Sequence, residues 1–87
     1  MYLHIGKGNV IDISEIIGIF DLDITSQSHL TRKYLALAEK NGIVINAAAD
    51  EIPKSFIVCC NEKGGKKVYL SQMACSTLMK RFETELI

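Results

Sequence analysis

A chain of 87 residues with ten Lys+Arg, ten Asp+Glu and a formal charge of zero has room for one domain, residues 1–87, around a small core. That balance excludes a histone-like tail, a polybasic membrane anchor and a strongly basic nucleic-acid glove. A hydrophobic content of 48% argues against disorder, and in so short a chain it suggests that copies of the protein cover part of one another's surface.

Tyr2 to Ile5 reads as a short strand, and Gly6-Lys7-Gly8-Asn9 is turn chemistry. Val10 to Ile13 then returns, which predicts a hairpin. Ile16 to Leu22 is a β-branched run, with Ile16, Gly18, Phe20 and Leu22 expected on one face and Ile17, Ile19 and Asp21 on the other. Both faces are largely apolar, so the strand is expected to be covered on both sides, within the monomer or by another subunit.

Thr25-Ser26-Gln27-Ser28 offers several helix N-caps, and a helix is predicted to run to about Asn41. Leu30, Tyr34, Leu37 and Ala38 form its expected buried stripe, and Leu35 lies off it. Gly42 should end the helix as its C′ residue. Ile43 to Asn46 reads as a short buried strand, and Ala47 to Ile52 as a connection closed by Pro53. Ser55 to Cys60 is strongly strand-like, with Phe56, Val58 and Cys60 opposite Ile57 and Cys59. Asn61 to Lys67 is a hairpin tip and Val68 to Leu70 the return strand. Ser71 looks like the N-cap of a last helix whose stripe is Cys75, Leu78, Met79, Phe82 and Leu86. The predicted order is β-β-β-α-β-β-β-α, an α+β domain.

Several residue groups invite a chemical reading. Zinc sites want two ligands converging from one turn, whereas Cys59 and Cys60 are adjacent and should face apart in a strand. They read better as small apolar strand residues, and Cys75 as part of the last helix's core stripe. His4 and His29 add no ligand spacing. No metal or cofactor is expected. An odd number of cysteines with no secretory leader points to reduced thiols and a cytoplasmic location. The apolar block from Ile16 to Phe20 is far too short to cross a membrane.

The glycine turn around Lys7 lacks the spacing of a phosphate loop and reads as a hairpin. No acidic pair, nucleophile triad or nucleotide motif rises above noise, so an enzyme is not expected. The charge is uneven, however. Residues 1–31 carry one basic and four acidic groups, residues 32–87 nine basic and six acidic. Arg32 with Lys33, the lysines of the hairpin tip, and Lys80 with Arg81 are ordinary solvated groups on a monomer. On a ring of subunits they become a repeated belt able to neutralise phosphates.

Ile5 to Ile11, Ile16 to Asp21, and Thr31-Arg32-Lys33 resemble the bacterial extracellular-matrix regulators of the Rem type. So do Asn41 to Asn46, Pro53 to Val58 and Val68 to Ser71, which extends the resemblance over nearly the whole chain. Phe20 to Ser26 and Pro53-Lys54-Ser55-Phe56 look like the B branch of that family rather than the A branch.

The resemblance implies a small cytoplasmic DNA-binding transcriptional regulator of biofilm-matrix genes. For the A branch it implies a ring-shaped homo-oligomer with a LytTR-like fold and double-stranded DNA held outside the ring by arginines. Where the A branch carries those arginines, this chain has Glu15, Glu51 and Ile52, while Arg32 and Lys54 match basic positions. Phosphate contacts are therefore expected from Arg32 and Lys54, with Lys33 and Lys7 as further candidates. The subunit contact is expected near Ile17, Ile19 and Leu35. The acidic replacements leave open a second function: an oligomeric adaptor that binds no DNA and works through a protein partner or a sister regulator.

Overall fold

The computed structural model describes residues 1–22 and 28–85. Strands β1 (Tyr2–Gly6) and β2 (Asn9–Asp12) form an antiparallel hairpin. A 3-10 turn over Ile13–Glu15, capped by the Asp12 carboxylate, leads into β3 (Ile16–Asp21). Helix α1 (His29–Lys40), strands β4 (Val44–Asn46), β5 (Ser55–Cys60) and β6 (Lys66–Ser71), and helix α2 (Cys75–Glu85) complete the chain. The fold is α+β, with the predicted element order. β3, β5, β6 and β4 make one four-stranded sheet in that order, antiparallel except for the β6–β4 pair.

Alternation along β5 sorts the core into two layers. Ile57 and Cys59 pack with Leu3, Ile5, Ile11, Ile13 and Leu78 beneath the hairpin and α2. Phe56 packs with Val68 and Ala38 beneath α1. The sheet is thus covered on one face by the hairpin and α2, and on the other by α1, whose connection carries the chain from the β3 edge to the β4 edge.

Helix α1 begins at Ser28, whose hydroxyl accepts the Thr31 amide at 3.5 Å. Thr25, Ser26 and Gln27, the other cap candidates, lie outside the described residues, as does Leu86. The helix ends in a Schellman motif: the Gly42 amide donates to the Glu39 carbonyl and the Ile43 amide to the Ala38 carbonyl. Gly42 takes φ +73°, as that motif requires.

Three expectations need correction. Ser71 does not cap the last helix; it is the last residue of β6, paired with Ser55, and α2 starts at Cys75. The Ser71 hydroxyl is buried and spans the layers instead, donating to the Ile5 carbonyl at 2.7 Å and accepting the Met73 amide at 3.0 Å. In β3, the register shifts between Ile16 and Gly18, so Ile17 bulges out of the pairing. Ile16 and Ile19 consequently share the hairpin face, and simple alternation fails.

The third correction concerns α1. Ala38 is buried, but Leu30, Tyr34 and Leu37 are 75%, 39% and 51% exposed, and Leu35 packs against the core. Thr31, Leu35 and Ala38 have the same helical spacing as the expected stripe, so two adjacent stripes compete and only docking chooses between them.

Candidate functional site

Lys7 occupies the β1–β2 turn in a left-handed conformation, φ +51°. Its ammonium sits 2.9 Å from the Glu51 carboxylate, which raises the lysine pKa through the hydrogen bond and the opposite charge. Lys54 lies on the same connection as Glu51. Its amide donates to the Ser71 carbonyl at 2.8 Å and its carbonyl accepts the Leu22 amide at 2.9 Å, while its side chain is exposed. The structure therefore brings Lys7, Glu51 and Lys54 to one end of the sheet, where β5 begins and β6 ends. Arg32 and Lys33 are exposed on the first turns of α1, in the helical layer. As consecutive helical residues they point about 100° apart and do not form one patch by themselves. The lysines of the β5–β6 tip lie at the far end of the sheet.

Of the three residues expected at a subunit contact, Ile17 alone is freely exposed, at 63%. Ile19 packs against the hairpin-side core and Leu35 against the α1-side core. The sequence places Leu30, Tyr34 and Leu37 in the buried stripe of α1, and they are exposed instead. Leu30, Tyr34 and Leu37 continue the apolar surface of Ile17 and Phe20 from the sheet edge up the flank of α1. A groove of about 320 Å³ runs between helix and sheet, floored by Phe56 and Val58. Phe20 stacks on Phe56 with ring centroids 5.0 Å apart, lying where a side chain on Gly18 would project. The bulge signal was present in the sequence as the Ile-Ile-Gly step, because a glycine inside a strand often marks a bulge or a close approach.

The thiols are placed as strand and helix packing residues. Cys59 is buried, and burial pushes its pKa up to about 11. Cys75 Sγ reaches the Ile19 carbonyl at 3.8 Å, and burial raises its pKa too. Cys60 faces away from Cys59, as adjacent strand residues do. His4 is exposed on β1 and His29 opens α1. Among the described residues no three His, Cys, Asp or Glu side chains converge as a metal site would need. No helix among them is long and apolar enough to cross a membrane.

Residues 2–82 match the family model described as extracellular matrix regulatory protein A-like. The chain belongs to that family. It is also 31% identical, over 81 residues, to extracellular matrix regulatory protein B of Bacillus subtilis (strain 168), covering 93% of this chain and 89% of that one. Within the family frame, the Glu51–Lys7 pair sits on the connection where the resemblance expects arginines in the A branch. There a carboxylate neutralises a neighbouring lysine.

Proposed function

We propose that this protein is a non-enzymatic, cytoplasmic regulator of extracellular-matrix genes that binds double-stranded DNA as a homo-oligomer. Its family and the name of its Bacillus relative support the regulatory role. The observation that carries the assembly is the uncovered apolar strip of Ile17, Phe20, Leu30, Tyr34 and Leu37 on a chain with no net charge to keep copies apart. One subunit offers few cations to DNA. Lys54, Arg32 and Lys33 are exposed, and Lys7 is held by Glu51. An assembly sums those contacts, and each phosphate neutralised adds about −0.9 to the slope of log K against log salt. Such contacts position the duplex, and sequence preference would come from its shape and bending.

A salt series on one duplex tests this reading. Arg32→Ala and Lys54→Ala should each weaken binding across sequences and flatten the slope. Glu51→Arg removes the carboxylate beside Lys7 and adds a cation, so it should tighten binding. Unchanged affinity in all three variants would place the DNA surface elsewhere.

The Lys7–Glu51 pair favours one second reading, an adaptor of the same assembly that docks a protein or sister regulator instead of DNA. Absence of duplex binding by the parent chain at low salt would select it.

A further inference from the structure

Among the described residues, the free edge of β1 is bordered by cations. β1 pairs with β2 in a two-stranded sheet, so its other edge has no strand beside it. The Ile13 amide donates to the Met1 carbonyl at 3.0 Å, and bonded pairs alternate along an antiparallel ladder. Leu3 and Ile11 are therefore the next bonded pair, and the amides and carbonyls of Tyr2 and His4 turn away from β2. They open onto a groove of about 280 Å³ between β1 and the flank of α2 that carries Lys80, Arg81 and Thr84. Arg81 Nη1 reaches the His4 carbonyl at 3.4 Å and Met73 Sδ at 3.8 Å. Both contacts are long and exposed. The guanidinium stands where the N–H of an added strand would go.

We propose that this slot takes an extended segment of another protein, added as a strand to the free edge of β1, with acidic and apolar side chains alternating. Strand addition gives affinity through the Tyr2 and His4 backbone, and the alternate side chains give specificity. The alternation follows from the two sides of β1. Leu3 points inward and is buried in the layer that α2 covers, where Lys80 and Arg81 border the groove. Side chains of the segment on that side meet two cations, against the single carboxylate of Glu85. On the other side Tyr2 is 63% exposed, and Val10, the partner of His4, is 53% exposed. Side chains there meet apolar surface. Asp12, opposite Tyr2, already accepts the Ser14 amide at 3.0 Å and the Ser14 hydroxyl at 2.9 Å. As the His4 carbonyl exchanges Arg81 for a main-chain N–H, the freed guanidinium fork pairs with a carboxylate of the segment. Neither Arg32 nor Lys54 lines the slot, so the inference goes beyond the readings above and does not rest on duplex binding.

The test titrates the full chain with a short blocked peptide of alternating Val and Glu and follows the backbone amides by NMR. The Tyr2 and His4 amides should exchange freely in the chain alone and slow on binding. Replacing each Glu of the peptide by Lys should weaken binding by about tenfold, because attractive pairs become repulsive. Methylating the peptide nitrogens that face β1 should abolish binding, since strand addition needs those N–H groups. Arg81→Glu should reverse the preference in favour of the Lys peptide, with circular dichroism to confirm folding. Lys80→Glu repeats the reversal should that variant misfold. The proposal is overturned if the Val–Glu peptide does not bind, or if its methylated form binds equally well. It is equally overturned if the folded variants keep the parent preference. Tyr2 and His4 amides already protected in the chain alone would mean that a copy fills the slot, and would overturn it too. So would protection of those amides by duplex DNA in place of the peptide.

Discussion

Ser71→Ala should be far more damaging than its small change in volume suggests. The hydroxyl is buried and satisfies two backbone groups at once, the Ile5 carbonyl and the Met73 amide. The β1–β2 register shifts between His4 and Gly6, so Ile5 falls outside the ladder at the point where Ser71 meets it. Stranding a buried polar group costs about 1–3 kcal/mol; the bond to the Ile5 carbonyl is buried and that from the Met73 amide only part-buried, where water offsets part of the loss, so the two together should cost about 2–4 kcal/mol. A domain of this size is expected to hold only about 4–13 kcal/mol in all. With an m-value of about 1–1.5 kcal/mol/M, the urea midpoint should fall by about 2 M. Ser55→Ala is the internal control. Ser55 is the cross-strand neighbour of Ser71, is equally buried, and makes one such bond, donating to the Met73 carbonyl at 2.8 Å. It should cost about half as much, by the same desolvation argument. Measurements at one fixed protein concentration keep any assembly contribution constant. Hydrogen exchange should show the β1–β2 amides losing protection in Ser71→Ala, because the bond ties the hairpin to the sheet. A Ser71→Ala cost below about 0.5 kcal/mol, well under the price of even one stranded group, would refute the reasoning.

Other consequences are simpler to read. In Gly18→Ala, the new methyl would come 2.7 Å from the Phe20 ring and displace it from Phe56, lowering stability by about 1–3 kcal/mol in a thermal melt. Cys59 holds its proton in the fold up to about pH 11 and loses it near the ordinary thiol pKa of 9.0 when unfolded. Between those values the unfolded chain binds fewer protons, so stability should fall as pH rises from about 9 to 11. Cys59→Ala should flatten that alkaline limb in urea titrations. Glu51→Gln should leave the melting curve nearly unchanged, because an exposed pair contributes little. If Lys7 then meets phosphate, the same variant should steepen the salt dependence of duplex binding by up to about 0.9 per engaged subunit.

Local patterns determined most of the architecture. Turn chemistry placed the β1–β2 hairpin, the Gly42 stop ended α1, and strict alternation in Ser55 to Cys60 sorted Phe56 and Val58 from Ile57 and Cys59. These features follow from backbone sterics and strand geometry within a few residues. The candidate site was legible only in part. Exposed Arg32 and Lys33 could be named from charge and Lys54 from the family resemblance, but Lys7 could not be known to be tied to Glu51, 44 positions away in the chain. Tertiary structure also decided which of two adjacent apolar stripes on α1 faces the sheet, packing half-buried Leu35 against the core and exposing Leu30, Tyr34 and Leu37. It decided the phase of β3 as well, where the bulge at Ile17 turned one isoleucine outward and left Ile19 in the core. Periodicity states which residues share a face, whereas packing against a sheet of fixed width decides which face is buried. That choice depends on contacts between segments far apart in sequence, here α1 against β5 and β6.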